Sequence, residues 1–240
     1  HFDPLTSLPN RASFIARLES EIEVSRMEKR HFALLCIDLD RFKETNDVFG
    51  HAVGDQMLVE IAARMRNALK DEEIVARLGG DEFVALIPCI EDAAAMMEFA
   101  ERLRAAIGES FVIDGNDLQT GSSIGIAMFP DDAETAAELM ARADLATYPA
   151  KESIGDALCF FEPGMDQHVR ERRAVALDLR KALVNGEFEL HYQSQSTING
   201  GELIGFEALV RWNHPVRGLM APADFIPVAE ETGLIIPLGN

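Results

Sequence analysis

Arg77-Leu78-Gly79-Gly80-Asp81-Glu82-Phe83 is the stretch on which the fold turns. Ile74-Val75-Ala76 precedes it, and the apolar run Phe83-Val84-Ala85-Leu86-Ile87 closes it. Two apolar runs around a glycine pair predict a β-hairpin, because glycine accepts the positive φ of a tight turn. Two acids follow the glycines directly. Glycines let a ligand approach the backbone, and adjacent carboxylates offer hard oxygens to a cation. Taken alone, the stretch reads as a solvated turn. Its meaning depends on what the rest of the chain brings beside it.

Before the hairpin, Phe32-Ala33-Leu34-Leu35-Cys36-Ile37 is a continuous apolar run, the pattern of a central strand buried on both faces. It ends in Asp38-Leu39-Asp40. A carboxylate at the end of a buried strand is costly unless something pairs it. Asp38 and Asp40, two apart in an extended chain, are expected to point the same way. A helix is predicted over 11–30, with Asn10 as N-cap and Phe14, Ile15, Leu18 and Ile22 at helical spacing. Residues 41–54 read as a polar connection, and 51–69 as a helix with its stripe on Val53, Met57, Leu58, Ile61, Met65 and Leu69. After the hairpin come a helix from Glu91 to about 107 and strands over 111–113 and 119–129, around Asp114-Gly115-Asn116. A helix over 134–151, interrupted late by Pro149, and a short strand at 158–161 follow. Strands alternating with helices, plus one hairpin, predict a layered α/β (α+β) domain over 1–162, with helices covering a mixed sheet.

Pro163-Gly164 marks a boundary, and the charged segment 163–185 reads as a solvated connecting helix. Residues 186–240 form a second unit. Phe188, Leu190 and Tyr192 alternate on one strand. Phe206, Ala208, Val210 and Trp212 alternate on the next, with Glu207, Leu209 and Arg211 on its opposite face. A short helix is expected from about Pro222.

The 240 residues are 48% hydrophobic, enough for one large or two modest domains. Forty-one acids against 22 bases give a net charge of −19. That balance excludes sequence-independent binding to nucleic acid or to an anionic membrane. A phosphate ligand would need a metal or a few local cations. Cys36, Cys89 and Cys159 are far apart and read as reduced thiols of a cytoplasmic protein. No apolar stretch approaches the length of a membrane span. The first residue is His1, so the chain reads as part of a longer protein, and any upstream anchor or sensor would be invisible in it.

A buried strand ending in Asp38 and a turn presenting Asp81 and Glu82 can lie side by side in one sheet. Such an oxygen cluster suits Mg²⁺ (or Mn²⁺), which takes one or two carboxylates plus substrate phosphates. At this point a resemblance enters. Gly79-Gly80-Asp81-Glu82-Phe83 is the signature of the GGDEF family, the diguanylate cyclases. Asp3-Pro4-Leu5-Thr6-Ser7-Leu8-Pro9-Asn10-Arg11 resembles the family's opening motif, with Ser7 in place of glycine. Asp38-Leu39-Asp40-Arg41-Phe42-Lys43-Glu44-Thr45-Asn46-Asp47 and Gly50-His51-Ala52-Val53-Gly54-Asp55 resemble its second motif. Ser123-Ile124-Gly125-Ile126-Ala127 and Ala143-Asp144 resemble later ones.

The resemblance implies a fold like that of nucleotidyl cyclases and polymerase palms. It implies condensation of two GTP into cyclic di-GMP by a two-fold homodimer, with release of two pyrophosphates. By position, Asp38, Asp81 and the Leu39 carbonyl would hold the metal. Asp81 would help deprotonate the ribose 3′-hydroxyl, with Glu82 in support. Asn46 and Asp55 would read the guanine edge, while Gly79 and Gly80 let the nucleotide approach. The backbone at Arg41 and Phe42, together with Lys151, would meet the phosphates. Three departures stand out. Pro149, two residues before Lys151, removes a backbone donor near the helix end. Glu152-Ser153-Ile154-Gly155-Asp156-Ala157 has one extra residue and places Asp156 where the family has arginine, reversing the sign of the charge. Lys70-Asp71-Glu72-Glu73 stands where product-inhibited members carry R-x-x-D, so a weak or absent inhibitory product site is expected.

Glu187-Phe188-Glu189-Leu190-His191-Tyr192-Gln193 and Gly205-Phe206-Glu207-Ala208-Leu209-Val210-Arg211-Trp212 resemble the start of an EAL domain, the cyclic di-GMP phosphodiesterase barrel. By position, Glu207 would be a metal ligand, and Gln193 and Arg211 would contact substrate. A TIM-like barrel needs roughly 200 residues or more, and about 55 lie beyond 185. No phosphodiesterase activity is therefore expected from this incomplete barrel alone. Three readings of the first unit stay open: a cyclase in a tandem GGDEF–EAL protein, a GTP-binding regulator of the downstream phosphodiesterase, or a structural dimerisation module, which would not require the acidic and guanine-reading positions.

Overall fold

A computed structural model describes the chain except residues 91–92, 114, 153–156, 197–202 and 240. Two compact units emerge, His1–Met165 and Asp166–Asn240. The first opens with α1 (Arg11–Glu28), β1 (Phe32–Leu39), α2 (Phe42–Phe49) and α3 (His51–Ala68). The hairpin β2 (Ile74–Gly79) and β3 (Glu82–Ile87) follows, then α4 (Ala93–Gly108), β4 (Phe111–Ile113) and β5 (Asn116–Leu118). It closes with β6 (Ser122–Phe129), α5 (Ala136–Glu152) and β7 (Leu158–Phe160). Five strands form a mixed sheet in the order β2-β3-β1-β6-β7, antiparallel except for the β6–β7 pair.

The central strand feeds two cores. Ala33, Leu35, Ile37 and Leu39 pack with Met57, Ile61, Phe99 and Leu103 from α3 and α4. Phe32, Leu34 and Cys36 pack with Phe14, Leu18, Leu139 and Ala143 from α1 and α5. Side chains of a strand alternate between faces, so one apolar run supplies both layers. By the same alternation Asp38 emerges on the α1/α5 face, at the end of the sheet. The hairpin turn needs its glycines: φ is 146° at Gly79 and 54° at Gly80.

Several sequence expectations are corrected. Residues 41–54 are not a plain connection but contain α2. Arg41 turns the chain with a φ of 55°, and Phe42 is the helix's buried residue, so no apolar stripe reveals it. The strand expected over 119–129 begins at Ser122. Residues 116–118 pair instead with β4 in a separate two-stranded sheet. Pro149 does not interrupt α5, which runs on to Glu152. So late in a helix, a missing N–H costs one i→i−4 bond, and α5 is anchored upstream on β6. The expected helix start at Glu91 and the turn residue Asp114 lie outside the described residues.

The second unit consists of α6 (Met165–Asn185), β8 (Phe188–Ser196), β9 (Leu203–His214), β10 (Gly218–Met220), α7 (Pro222–Glu231) and α8 (Ile235–Leu238). Its strands form an antiparallel sheet in the order β10-β9-β8. The helix expected over 163–185 as a solvated connector counts with this unit from Asp166 onward. Val175, Leu179 and Ala182 enter a core with Trp212, Phe225 and Val228. The Trp212 indole N–H donates to Glu187 Oε2 at 3.0 Å. No helix among the described residues is long and apolar enough to cross a membrane.

Candidate active site

The hairpin tip is fixed from outside the sheet. Arg77 donates from Nε and Nη2 to the Gly80 carbonyl at 3.0 and 2.7 Å, and from Nη1 to Asp3 Oδ1 at 3.0 Å. Asp3 also accepts from the Thr6 N–H at 2.8 Å and from its hydroxyl at 2.7 Å. Burial works to raise the Asp3 pKa, but the Thr6 hydrogen bonds and the Arg77 guanidinium outweigh it and hold the carboxyl below its ordinary value. The opening turn of the chain thus locks the glycine turn. Sequence reasoning assigned no role to this pair, and no spacing rule links residues 74 apart.

Strand register gathers the acids. Asp38 lies opposite Glu82 on β3 and opposite Ser123 on β6. Directly opposed residues share a face, so Asp38 and Glu82 sit together. Asp81, in the turn, is half-buried. Burial first, and the Asp38 charge second, push its pKa up against the pull of Lys151 and Arg77. Lys151 Nζ sits 2.9 Å from Asp38 Oδ2. Gly125 makes that reach possible. A Cβ there would stand 2.1 Å from the Ala143 carbonyl oxygen and 2.5 Å from the Thr147 nitrogen. With hydrogen in its place, α5 closes onto β6, and Lys151, one turn beyond Thr147, meets Asp38.

Asp40 does not act as a twin of Asp38. Its Oδ1 accepts from the Ser123 hydroxyl at 2.8 Å, its N–H donates to the Gly121 carbonyl at 3.0 Å, and its carbonyl accepts from Thr120 Oγ1 at 2.9 Å. Asp40 lies beyond the end of β1 and shapes the turn into α2. Sequence reasoning passed over Gly121, where a Cβ would stand 2.3 Å from Asp40 Oδ2.

On the other flank, α2 packs against α3. The Asn46 Oδ1 atom lies 2.0 Å from where a Cβ on Gly54 would stand, and Phe42 Cζ lies 3.3 Å from it. Gly54 is therefore a cradle for the Asn46 amide. Asp55, the next residue, is exposed on α3. A cavity of about 1020 Å³ runs past the start of α2, walled by Asp38, Arg41, Thr45, Thr120, Gly121 and Lys151 among others. Asn46 and Asp55 are not part of its wall.

Among the described residues no group of three or more His, Cys, Asp or Glu could hold a metal ion. The expected donors are two carboxylates, Asp38 and Asp81, and the Leu39 carbonyl. An all-oxygen set this sparse fits a hard cation that keeps water and takes phosphate oxygens, such as Mg²⁺ or Mn²⁺. At the position of the family's inhibitory motif the side chains are already engaged. Lys70 Nζ is 2.7 Å from Glu98 Oε1, and Glu73 Oε2 accepts from Arg102 at 2.6 Å. Asp156 lies outside the described residues. In the second unit, Gln193 and Glu207 are register partners and Glu189 pairs with Arg211, which puts Gln193, Glu207 and Arg211 on one sheet face.

The GGDEF domain family, described as diguanylate cyclase, matches residues 1–156, and the EAL domain family matches 176–240. Over 99% of its length the chain is 44% identical to MucR of Pseudomonas aeruginosa, named a bifunctional diguanylate cyclase/cyclic di-GMP phosphodiesterase. Over 99% it is also 38% identical to PdeR of Escherichia coli, named a cyclic di-GMP phosphodiesterase. It spans 35% of the length of each of these curated relatives. The solved GGDEF domain of TpbB (YfiN) from Pseudomonas aeruginosa is 40% identical, with a TM-score of 0.67 over 71% of this chain and 99% of that one. The chain belongs to the GGDEF family, its GGDEF domain followed by a partial EAL domain.

Proposed function

We propose that the first unit is a diguanylate cyclase, condensing two GTP into cyclic di-GMP and two pyrophosphates within a GGDEF–EAL signalling protein. The observation that carries this is the convergence of Asp38, Asp81 and Lys151 at one end of the sheet, beside the start of α2. Asp38, Asp81 and the Leu39 carbonyl would hold Mg²⁺ (or Mn²⁺), which when bound neutralises phosphate charge and acidifies a hydroxyl. Asp81 accepts the proton of one ribose 3′-hydroxyl, with Glu82 beside Asp38 in support. The oxygen so freed bonds to the α-phosphorus of the second GTP as pyrophosphate leaves. The reciprocal step closes the ring. Asn46 and Asp55 read guanine. Lys151, Gly79, Gly80 and the N–H groups at the start of α2, beginning with Phe42, accommodate the phosphates. Each site takes one GTP, so two copies meet across a two-fold axis.

A second reading keeps GTP binding without turnover, the unit acting as a regulator of the EAL domain. The acid at Asp156 and the likeness to PdeR favour it. Incubation of the purified chain with GTP and Mg²⁺, products resolved by chromatography, separates the two. Cyclic di-GMP that falls by about 100-fold or more in Asp81→Asn supports the cyclase. GTP bound but unconverted at high protein concentration refutes the cyclase and supports the regulator.

A further inference from the structure

The Lys151–Asp38 ion pair puts a cation where a metal-holding carboxylate is needed. The ammonium is 2.9 Å from Asp38 Oδ2, with side-chain exposures of 43% for Lys151 and 24% for Asp38. A second cation acting on the cluster, Arg77, is committed to Asp3 and the Gly80 carbonyl. Lys151, ion-paired to Asp38, is a counter-charge at the acidic end of the sheet. Its mounting suits this task. The helix is pinned at Gly125, but Lys151 sits in its last turn on a flexible stem. The same side chain also walls the cavity that runs past Arg41 and the start of α2. Asp38 and Lys151 both wall that cavity, so a move of the ammonium toward a phosphate there would draw it from Asp38.

We infer that Lys151 is a tethered placeholder cation that couples divalent-metal binding to nucleotide binding. This rests on the reading of the site as one for GTP and metal. With no nucleotide bound, the ammonium neutralises Asp38 and opposes a free divalent ion by charge repulsion and by occupying its ligand oxygen. With no metal bound, the unshielded acids repel the triphosphate. When both ligands arrive, the ammonium moves to phosphate and Asp38 turns to the metal. Each ligand thereby strengthens the other by the same factor, as linkage requires. An acidic cleft is thus kept from filling with metal alone.

The test is titration calorimetry on the full chain with Mn²⁺ alone, a non-hydrolysable GTP analogue alone, and each in the presence of the other. Wild type is expected to show mutual enhancement of about 5-fold or more. In Lys151→Gln, Mn²⁺ alone should bind several-fold tighter than in wild type, the analogue should bind more weakly in the presence of Mn²⁺, and the enhancement should fall several-fold below that of wild type, direct metal–phosphate bonding sustaining the remainder. Lys151→Arg, which keeps a cation, should retain most of it. If both ligands bind wild type yet Lys151→Gln binds Mn²⁺ alone no tighter, the inference is overturned while the nucleotide site stands. If wild type binds neither ligand even with the other present, the proposed site itself falls and the inference with it.

Discussion

Gly54→Ala separates the stability of the fold from the function of its site. Gly54 lies in the first turns of α3, where alanine is favoured over glycine by up to about 1 kcal/mol. Against that gain, the new Cβ would meet Asn46 Oδ1 at 2.0 Å, Asn46 Cγ at 3.0 Å and Phe42 Cζ at 3.3 Å. The obstructing atoms are the far ends of side chains, so Asn46 yields by rotation rather than by a shift of α2. Forcing a side chain off its rotamer costs about 0.5–1.5 kcal/mol. The two terms nearly cancel, and the melting temperature should stay within a few degrees of wild type. Nucleotide binding has no such compensation. A guanine edge left without its amide partner costs about 1–3 kcal/mol, or roughly 5- to 150-fold in GTP affinity. Anisotropy of a fluorescent GTP analogue and thermal unfolding by circular dichroism, run on the same samples, read both quantities. Adding Asn46→Ala should weaken binding in wild type and change nothing further in Gly54→Ala. Unchanged GTP affinity in Gly54→Ala would refute the cradle. A stability loss above about 2 kcal/mol would also refute the reasoning, since overpacking on that scale means that backbone gave way instead.

Gly125→Ala should behave in the opposite manner, because the atoms it meets at 2.1 and 2.5 Å are backbone of α5 and cannot rotate aside. A loss of about 1–3 kcal/mol is expected, and a thermal melt matching wild type would show that the approach of α5 does not depend on this glycine. Asp3→Asn tests the lock on the hairpin through pH. A carboxyl with a lowered folded pKa stabilises fully above its ordinary value of 3.8, and that stability is lost as pH falls through the lower folded value. The stability gap between wild type and Asp3→Asn in urea should therefore shrink as pH is stepped below 3.8; a gap constant with pH counts against the ion pair.

What the sequence disclosed, and what it hid, follows from the kind of signal each feature leaves. The strand β1 was legible because both of its faces are buried, which writes an unbroken apolar run. The hairpin was legible because its φ values admit few residues but glycine. Asp38 was legible through the cost of ending a buried strand in an acid. By contrast, α2 buries Phe42 alone and writes no stripe. The stripe of Val175, Leu179 and Ala182 on α6 lies among charges that made it read as solvated. Lys151 was assigned to phosphate from the resemblance, yet its partner in the folded chain is Asp38. Asp3 and Arg77 meet across 74 residues, a distance over which periodicity says nothing. Gly54, Gly121 and Gly125 carry no turn at all. Each is small because a neighbouring side chain or backbone needs its space, and a string of letters does not distinguish such a glycine from a loop.

These three glycines and the charge balance bear on one problem. On the proposed reading, a chain with a net charge of −19 has to hold a polyanion against a cluster of its own acids. General electrostatic attraction cannot do this, so the cations and amides that meet the ligand must be placed by packing. Gly125 sets the reach of Lys151 by letting α5 touch β6. Gly121 leaves room for the Asp40 carboxylate, which Ser123 holds at the turn into α2. Gly54 seats the Asn46 amide on the flank of α3. Each is a close approach rather than a charge, and on the proposed reading each would act on a different part of a nucleotide: the phosphates through Lys151 and α2, the base through Asn46. On that reading, specificity in this acidic site would be a packing property. Substitutions at the small residues should disturb ligand binding as much as substitutions at the polar residues they position.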